Sequence, residues 1–131
     1  MLDAAKARIP DLDVPIEVSL GDAESLEFSN ASVDVVFSHA LTKHLPVPLQ
    51  HQVLAEFARV SRTWVICSFS VLGHFTYEFW RRRKLVDSYP LLPEQLDDLA
   101  GHAGLIALAQ RRCTTPVGIE HSVLFRKRTS G

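Results

Sequence analysis

Ser38 and His39 stand directly after the apolar run Val33-Asp34-Val35-Val36-Phe37. An imidazole near its reference pKa of ~6.5 can orient a nucleophile or remove its proton at neutral pH, so His39 is a candidate for catalysis as well as for plain loop packing. Asp22 follows Gly21 and precedes the small Ala23. Its carboxylate can accept a hydrogen bond from a ligand amino group, or close an Asx-turn on its own backbone. A third cluster sets the cations Arg81, Arg82, Arg83 and Lys84 among Tyr77, Phe79, Trp80 and Tyr89. Aromatic walls beside a cation suit a planar or anionic substrate, which singles out Tyr77 and Arg81, whereas a short charge run also describes a solvated helix face. His44, before Leu45-Pro46, reads as a residue that fixes its loop. No metal site is expected, because His39, His44 and His51 lack the i, i+4 spacing of a helical pair and no carboxylate completes a ligand set.

The elements that must hold these residues follow from apolar periodicity. Val33, Val35, Val36 and Phe37 favour extended backbone, since β-branched and aromatic side chains fit a pleated surface. Ser38 and His39 then fall at the carboxyl end of a strand, where open α/β sheets place their ligands. Leu49, Val53, Leu54, Phe57 and Val60 share one face of a helix over residues 49–60. Residues 64–69 form a second, near-continuous apolar strand. Strand, helix and strand in this order imply a parallel α/β sheet.

Upstream, residues 1–9 read as an amphipathic helix closed by Pro10, and residues 16–20 as a short strand running into Gly21-Asp22. Residues 23–32 read as a polar loop with Leu26 and Phe28 as buried anchors. Downstream, residues 71–92 are irregular and suggest an insertion over the top of the sheet. Residues 93–102 make a helix with Pro93 in its first turn, acids near its start and Gly104 beyond its end. Residues 105–114 and 119–126 suggest a terminal antiparallel pair joined by Thr115-Pro116-Val117-Gly118.

Composition removes several classes of function. The 131 residues, 47% hydrophobic and 22% charged, suffice for one domain with a real core. A net charge of -1 offers no bulk attraction to nucleic acid or to an anionic membrane. No apolar run reaches the ~18 residues needed to span a bilayer, and the first residues lack the apolar core of a signal peptide, so a cytoplasmic location is expected. Cys67 and Cys113 lack Cys-x-x-Cys spacing and are expected to be free thiols.

One larger pattern joins these pieces. Gly21-Asp22-Ala23-Glu24-Ser25-Leu26-Glu27-Phe28, then Ser32-Val33-Asp34-Val35-Val36-Phe37-Ser38, His44-Leu45-Pro46 and Val53-Leu54-Ala55-Glu56-Phe57-Ala58-Arg59-Val60 resemble the middle of a class I S-adenosylmethionine-dependent methyltransferase of the type 11-like kind. The resemblance covers residues 1 to about 70, and beyond them only the order of helix and paired strands agrees. It implies that Asp22 accepts the adenine amino group of S-adenosyl-L-methionine, that Ala23 lets the ring approach the backbone, and that Ser38 and His39 border the methionine end and the departing methyl. The implied reaction is methyl transfer to a small-molecule acceptor. The alternative is a non-catalytic scaffold serving as a protein-binding or regulatory subunit. An unrelated nucleotide-binding α/β protein is disfavoured, since the chain has no phosphate-cradling Gly-rich loop with a Lys-Ser/Thr pair.

The departure from that family is as informative. Glycines occur at 21, 73, 101, 104, 118 and 131 and nowhere form the Gly-x-Gly-x-Gly that follows the family's first strand. The acidic residue that ends the family's second strand is also without a counterpart. The expectation is therefore a single truncated domain over residues 1–131: an incomplete Rossmann-like sheet, mostly parallel with a C-terminal antiparallel strand pair, its first two strands missing, with only part of the cofactor site. The family order 3-2-1-4-5-7-6 would leave residues 16–20 without their neighbour. Either they pair directly with the Val33 strand, or a second copy or a complementing N-terminal half supplies an edge, since unpaired interior backbone is costly.

Overall fold

A computed structural model describes residues 2–11, 13–83, 88–115 and 118–129. Its framework is a four-stranded sheet in the order β1-β2-β4-β3, built from β1 (Val33–Ser38), β2 (Ser61–Phe69), β3 (Leu105–Thr115) and β4 (Gly118–Lys127). β1 and β2 run parallel, and β4 lies antiparallel between β2 and β3. Order and direction match the 4-5-7-6 part of the sheet implied by the resemblance. Among the described residues four α-helices accompany it: α1 (Leu2–Arg8), α2 (Val47–Val60), α3 (His74–Arg83) and α4 (Pro93–His102).

A tight turn cannot join parallel strands, and α2 supplies the crossover from β1 to β2. Its stripe of Val53, Leu54, Phe57, Ala58 and Val60 is buried. Side chains alternate across a strand, so the register sorts them. Val36, Val65, Cys67, Phe69, Val123 and Phe125 share one face, and α2 and α4 close over it with Leu54, Phe57, Leu96 and Leu99. Phe69 and Phe125 meet edge to face with ring centroids 6.1 Å apart. On the opposite face lie Val35, Phe37, Trp64, Ile66, Ile106 and Leu124. Among the described residues no helix closes over Val35, Phe37 or Ile106, which stay exposed, Phe37 at 69%.

Chain termini of the helices follow capping chemistry. Pro93 opens α4, and the Gln95 side chain accepts the Leu92 N–H at 2.9 Å. Gly104 turns the chain into β3 with φ +73°, a left-handed conformation that costs glycine little.

Three expectations are corrected. Residues 16–20 are not a strand but exposed coil, with Leu20 87% exposed, and they do not pair with β1. Extended backbone with no ladder partner is solvated instead. Phe28 is not a buried anchor. The loop is held by polar hooks from α2: Arg59 donates to the carbonyls of Leu26 and Phe28 and to the Asn30 side chain, and Glu56 accepts the Leu26 N–H. That leaves only Leu26 packed on the core. Residues 74–83 are helical rather than irregular. Their aromatic residues have modest helix propensity and form no single apolar stripe, and α3 buries none of them. Residues 3–8 of α1 are likewise exposed. Lys84 of the basic run, and Pro116 and Val117 of the hairpin turn, lie outside the described residues.

The one-sided core makes a direct test. Phe125→Ala should lower the unfolding free energy by about 3–5 kcal/mol. Phe75→Ala, on the exposed surface of α3, should change it by less than about 0.5 kcal/mol. Urea unfolding of the two variants beside the parent protein measures both.

Candidate functional site

β1 ends on Ser38, which pairs in register with Cys67 of β2. His39 is the next residue, and Ala40 then adopts φ +58°. A left-handed alanine costs roughly 1 kcal/mol and persists where the surroundings hold it. They do so here: the Ala40 N–H donates to Ser68 Oγ at 2.7 Å, and the buried Thr42 hydroxyl donates to the Ser68 carbonyl. The loop after β1 is thus folded back over the carboxyl end of β2. It continues into a 3-10 turn, Thr42–His44, which carries Lys43.

Antiparallel pairing brings the start of β4 to the same end, with His121 opposite Phe69. Glu120 beside it is nearly fully buried and forms an ion pair with Lys43 Nζ, while His39 Nε2 lies 4.0 Å from its other carboxylate oxygen. A buried carboxylate is tolerable only when paired, and Lys43 supplies the charge. The His39 ring is 61% exposed. It is too far for a hydrogen bond to Glu120 and open to solvent at the strand end. Neither Lys43 nor Glu120 is singled out by sequence spacing. Glu120 shares its face of β4 with Ser122, Leu124 and Arg126, so no apolar alternation marks it.

Asp22 sits elsewhere. Its carbonyl accepts the Ser25 N–H at 3.0 Å and its Oδ1 accepts the Glu24 N–H at 2.9 Å. This is the Asx-turn geometry allowed by the sequence. One such bond leaves acceptor capacity on a carboxylate, which has about four lone-pair sites. Ala23 is half-buried against the core. The structure therefore groups His39 with Lys43 and Glu120, sets Ser38 beside Cys67 at the same strand end, and keeps Asp22 and Ala23 on a separate turn, with no hydrogen bond between the two sites among the described residues. Tyr77 stacks obliquely on Trp80, centroids 6.0 Å apart. Arg81 is exposed and pairs with Glu78 at 2.8 Å, holding that carboxyl below the usual range. Neither Tyr77 nor Arg81 touches the His39 cluster among the described contacts.

Ser38, His39 and their partners lie where the parallel strands of an open α/β sheet end, which is the ligand-binding edge of such folds. The fold is that of a class I methyltransferase-type α/β unit. The family described as methyltransferase domain matches residues 1–64, and the fold is that of class I S-adenosylmethionine-dependent methyltransferases. No curated protein sequence matches it.

Solved structures agree in fold at low identity. A SAM-dependent methyltransferase from Methanosarcina mazei superposes with a TM-score of 0.74 at 13% identity, over 98% of this chain and 78% of that one. Magnesium protoporphyrin IX methyltransferase from Synechocystis, with bound SAH, gives 0.66 at 14% identity, over 82% of this chain and 49% of that one. The chain thus spans about half the length of that enzyme. A putative methyltransferase from Haloferax volcanii, in complex with the Trm112 methyltransferase activator, gives 0.68 at 18% identity, over 100% of this chain and 69% of that one. No helix among the described residues is long and apolar enough to cross a membrane.

Cys67 lies inside the site's supporting shell but is not a nucleophile. Burial pushes its thiol up to about 11, against the opposing pull of hydrogen bonds from Thr42 and Ser38. Thiolate is the reactive form, so near pH 8 only about one Cys67 in a thousand is ionised. Cys113 is exposed. A disulfide-exchange reagent at that pH should label Cys113 rapidly and Cys67 only after denaturant is added, as counted by absorbance and intact mass.

Proposed function

We propose that this chain acts in S-adenosyl-L-methionine-dependent methyl transfer to a small-molecule acceptor. The observation that carries the reading is the convergence of Ser38, His39, Lys43 and Glu120 at the carboxyl end of β1. Asp22 would hold the adenine amino group with the acceptor capacity left by its turn, and Ala23 is small enough for a ring to lie against the backbone. Ser38 and His39 would border the methionine end. When bound, the cofactor supplies a methyl group activated by its sulfonium. The chain's own residues orient the acceptor for in-line attack, and such reactions rely mainly on positioning. His39 takes the proton of an incoming oxygen or nitrogen nucleophile. Ala40 and Thr42 keep His39 at the strand end through Ser68.

With no Gly-x-Gly-x-Gly in the chain, affinity for the cofactor is expected to be low. Titration calorimetry should give a Kd of roughly 100 µM or weaker. Asp22→Ala should weaken it further. Tight, stoichiometric binding that is indifferent to Asp22→Ala would remove Asp22 from the adenine role.

A second reading, a non-catalytic scaffold that binds protein, is favoured by one feature: among the described residues β1 has a free edge and an open apolar face. Such edges template pairing with another strand. The occupant would be a second copy of this chain or a complementing N-terminal half. Light scattering should show self-association that rises with concentration, and Val35→Lys with Phe37→Lys should abolish it. A clean monomer at high concentration would rule out the homo-oligomer.

A further inference from the structure

On the core-facing side of the strand ends lies a cleft of about 440 Å³ that includes Val71, Leu72, Thr76, Pro93, Arg112 and His121 in its lining. Its size falls within the range of small-molecule pockets. Arg112 and His121 are directly opposed across β3 and β4. Both are polar groups with unmet partners. His121 Nδ1 is buried with no hydrogen bond among the described residues, and none of the described carboxylates forms an ion pair with Arg112. The other charged groups near the rim, His74 of α3 and Glu94 of α4, satisfy each other at 2.9 Å.

We propose that this cleft binds a small organic carboxylate, its anionic group held by the Arg112 guanidinium and the His121 imidazole and its apolar body lying against Val71, Leu72 and Pro93. A guanidinium offers a planar pair of donors that matches a carboxylate, and a protonated imidazole adds a third. Apolar walls beside the two cations favour a carboxylate with a compact hydrocarbon body over a bare inorganic anion. The site does not depend on the methyl-transfer reading. Glu120 and His121 are consecutive residues on opposite faces of β4, and the cleft shares no lining residue with the His39 cluster.

Binding has a defined pH dependence. Burial, with a further contribution from Arg112, holds the His121 imidazole below its usual value. A carboxylate opposite it favours the protonated ring and raises that value. Affinity therefore climbs as pH falls from the bound-state value of His121 toward its lower free-state value, levels off below that, and is weakest where the ring is neutral in both states.

Benzoate is the probe, followed by its perturbation of the His121 ring resonances in heteronuclear NMR, with benzyl alcohol and inorganic phosphate as controls. Benzoate should shift His121 saturably, bind more tightly at about pH 5.5 than at about pH 8, and raise the ring's pKa. Benzyl alcohol, which keeps the ring and loses the charge, and phosphate, which keeps the charge and loses the ring, should each bind at least about tenfold more weakly. Arg112 is exposed, so Arg112→Gln should fold normally and weaken benzoate by about tenfold or more. The proposal is overturned by any of three results: no shift of His121 at millimolar benzoate, equal binding of either control, or an Arg112→Gln affinity within twofold of the parent. The pH series on the unmodified protein decides the matter independently of any variant, since affinity that stays flat or rises with pH also overturns it.

Discussion

Burial on a single face of the sheet is the constraint from which the rest of the structure follows. Among the described strands, β2 alone is flanked on one side by a parallel neighbour and on the other by an antiparallel one. Its inward residues Val65, Cys67 and Phe69 are completely buried. Both helices that pack on the sheet, α2 and α4, lie on that side. The parallel crossover through α2 forces β1 and β2 to end at the same edge of the sheet, and the β3–β4 hairpin brings the first residues of β4 there too. The polar cluster is a consequence of that topology. No single sequence segment contains it.

Within the cluster, electrostatics decide what each side chain can do. Glu120 can be ionised in a buried place because Lys43 is beside it; removing either alone would strand the other, which is far costlier than removing both. The pair also has a geometric effect. Lys43 sits on the 3-10 turn that Thr42 ties to Ser68, so the charge that satisfies Glu120 is carried by the same loop that turns the chain after His39. Loop position and charge balance are therefore coupled. A shift of the turn away from β2 would leave a buried carboxylate without its cation.

Most of the framework was legible in the residues because each element had its own pattern. Val53, Leu54 and Phe57 recur with helical period, the valines before Ser38 read as strand, and Pro93 and Gly104 bracket α4. What failed were features set by distant partners. Residues 16–20 have the composition of a strand, but a strand exists only where another backbone accepts its hydrogen bonds, and β1 does not. Phe28 looks like an anchor, yet Arg59 reaches past it to the loop carbonyls and leaves the ring outside. The burial of Glu120 depends on Lys43, far away in the chain, so no local pattern announces it. The Asp22 turn was legible as one of two local options, and the Glu24 N–H shows that the backbone option is taken.

The opposed fates of Glu120 and His121 follow from the same reasoning. Adjacent on β4, they point to opposite faces at the same edge of the sheet, and both are shielded from water to different degrees. Burying a carboxylate demands an immediate counter-ion, and Lys43 provides one. An imidazole can respond by giving up its proton, which is why His121 tolerates a cationic neighbour and an unmet nitrogen where Glu120 could tolerate neither. The strand thus separates, by one backbone unit, a charge that is already balanced from a group whose charge depends on what stands opposite it. Only the second kind of position can register the arrival of an anion, and it lies against the side of the sheet where α2 and α4 have built the core.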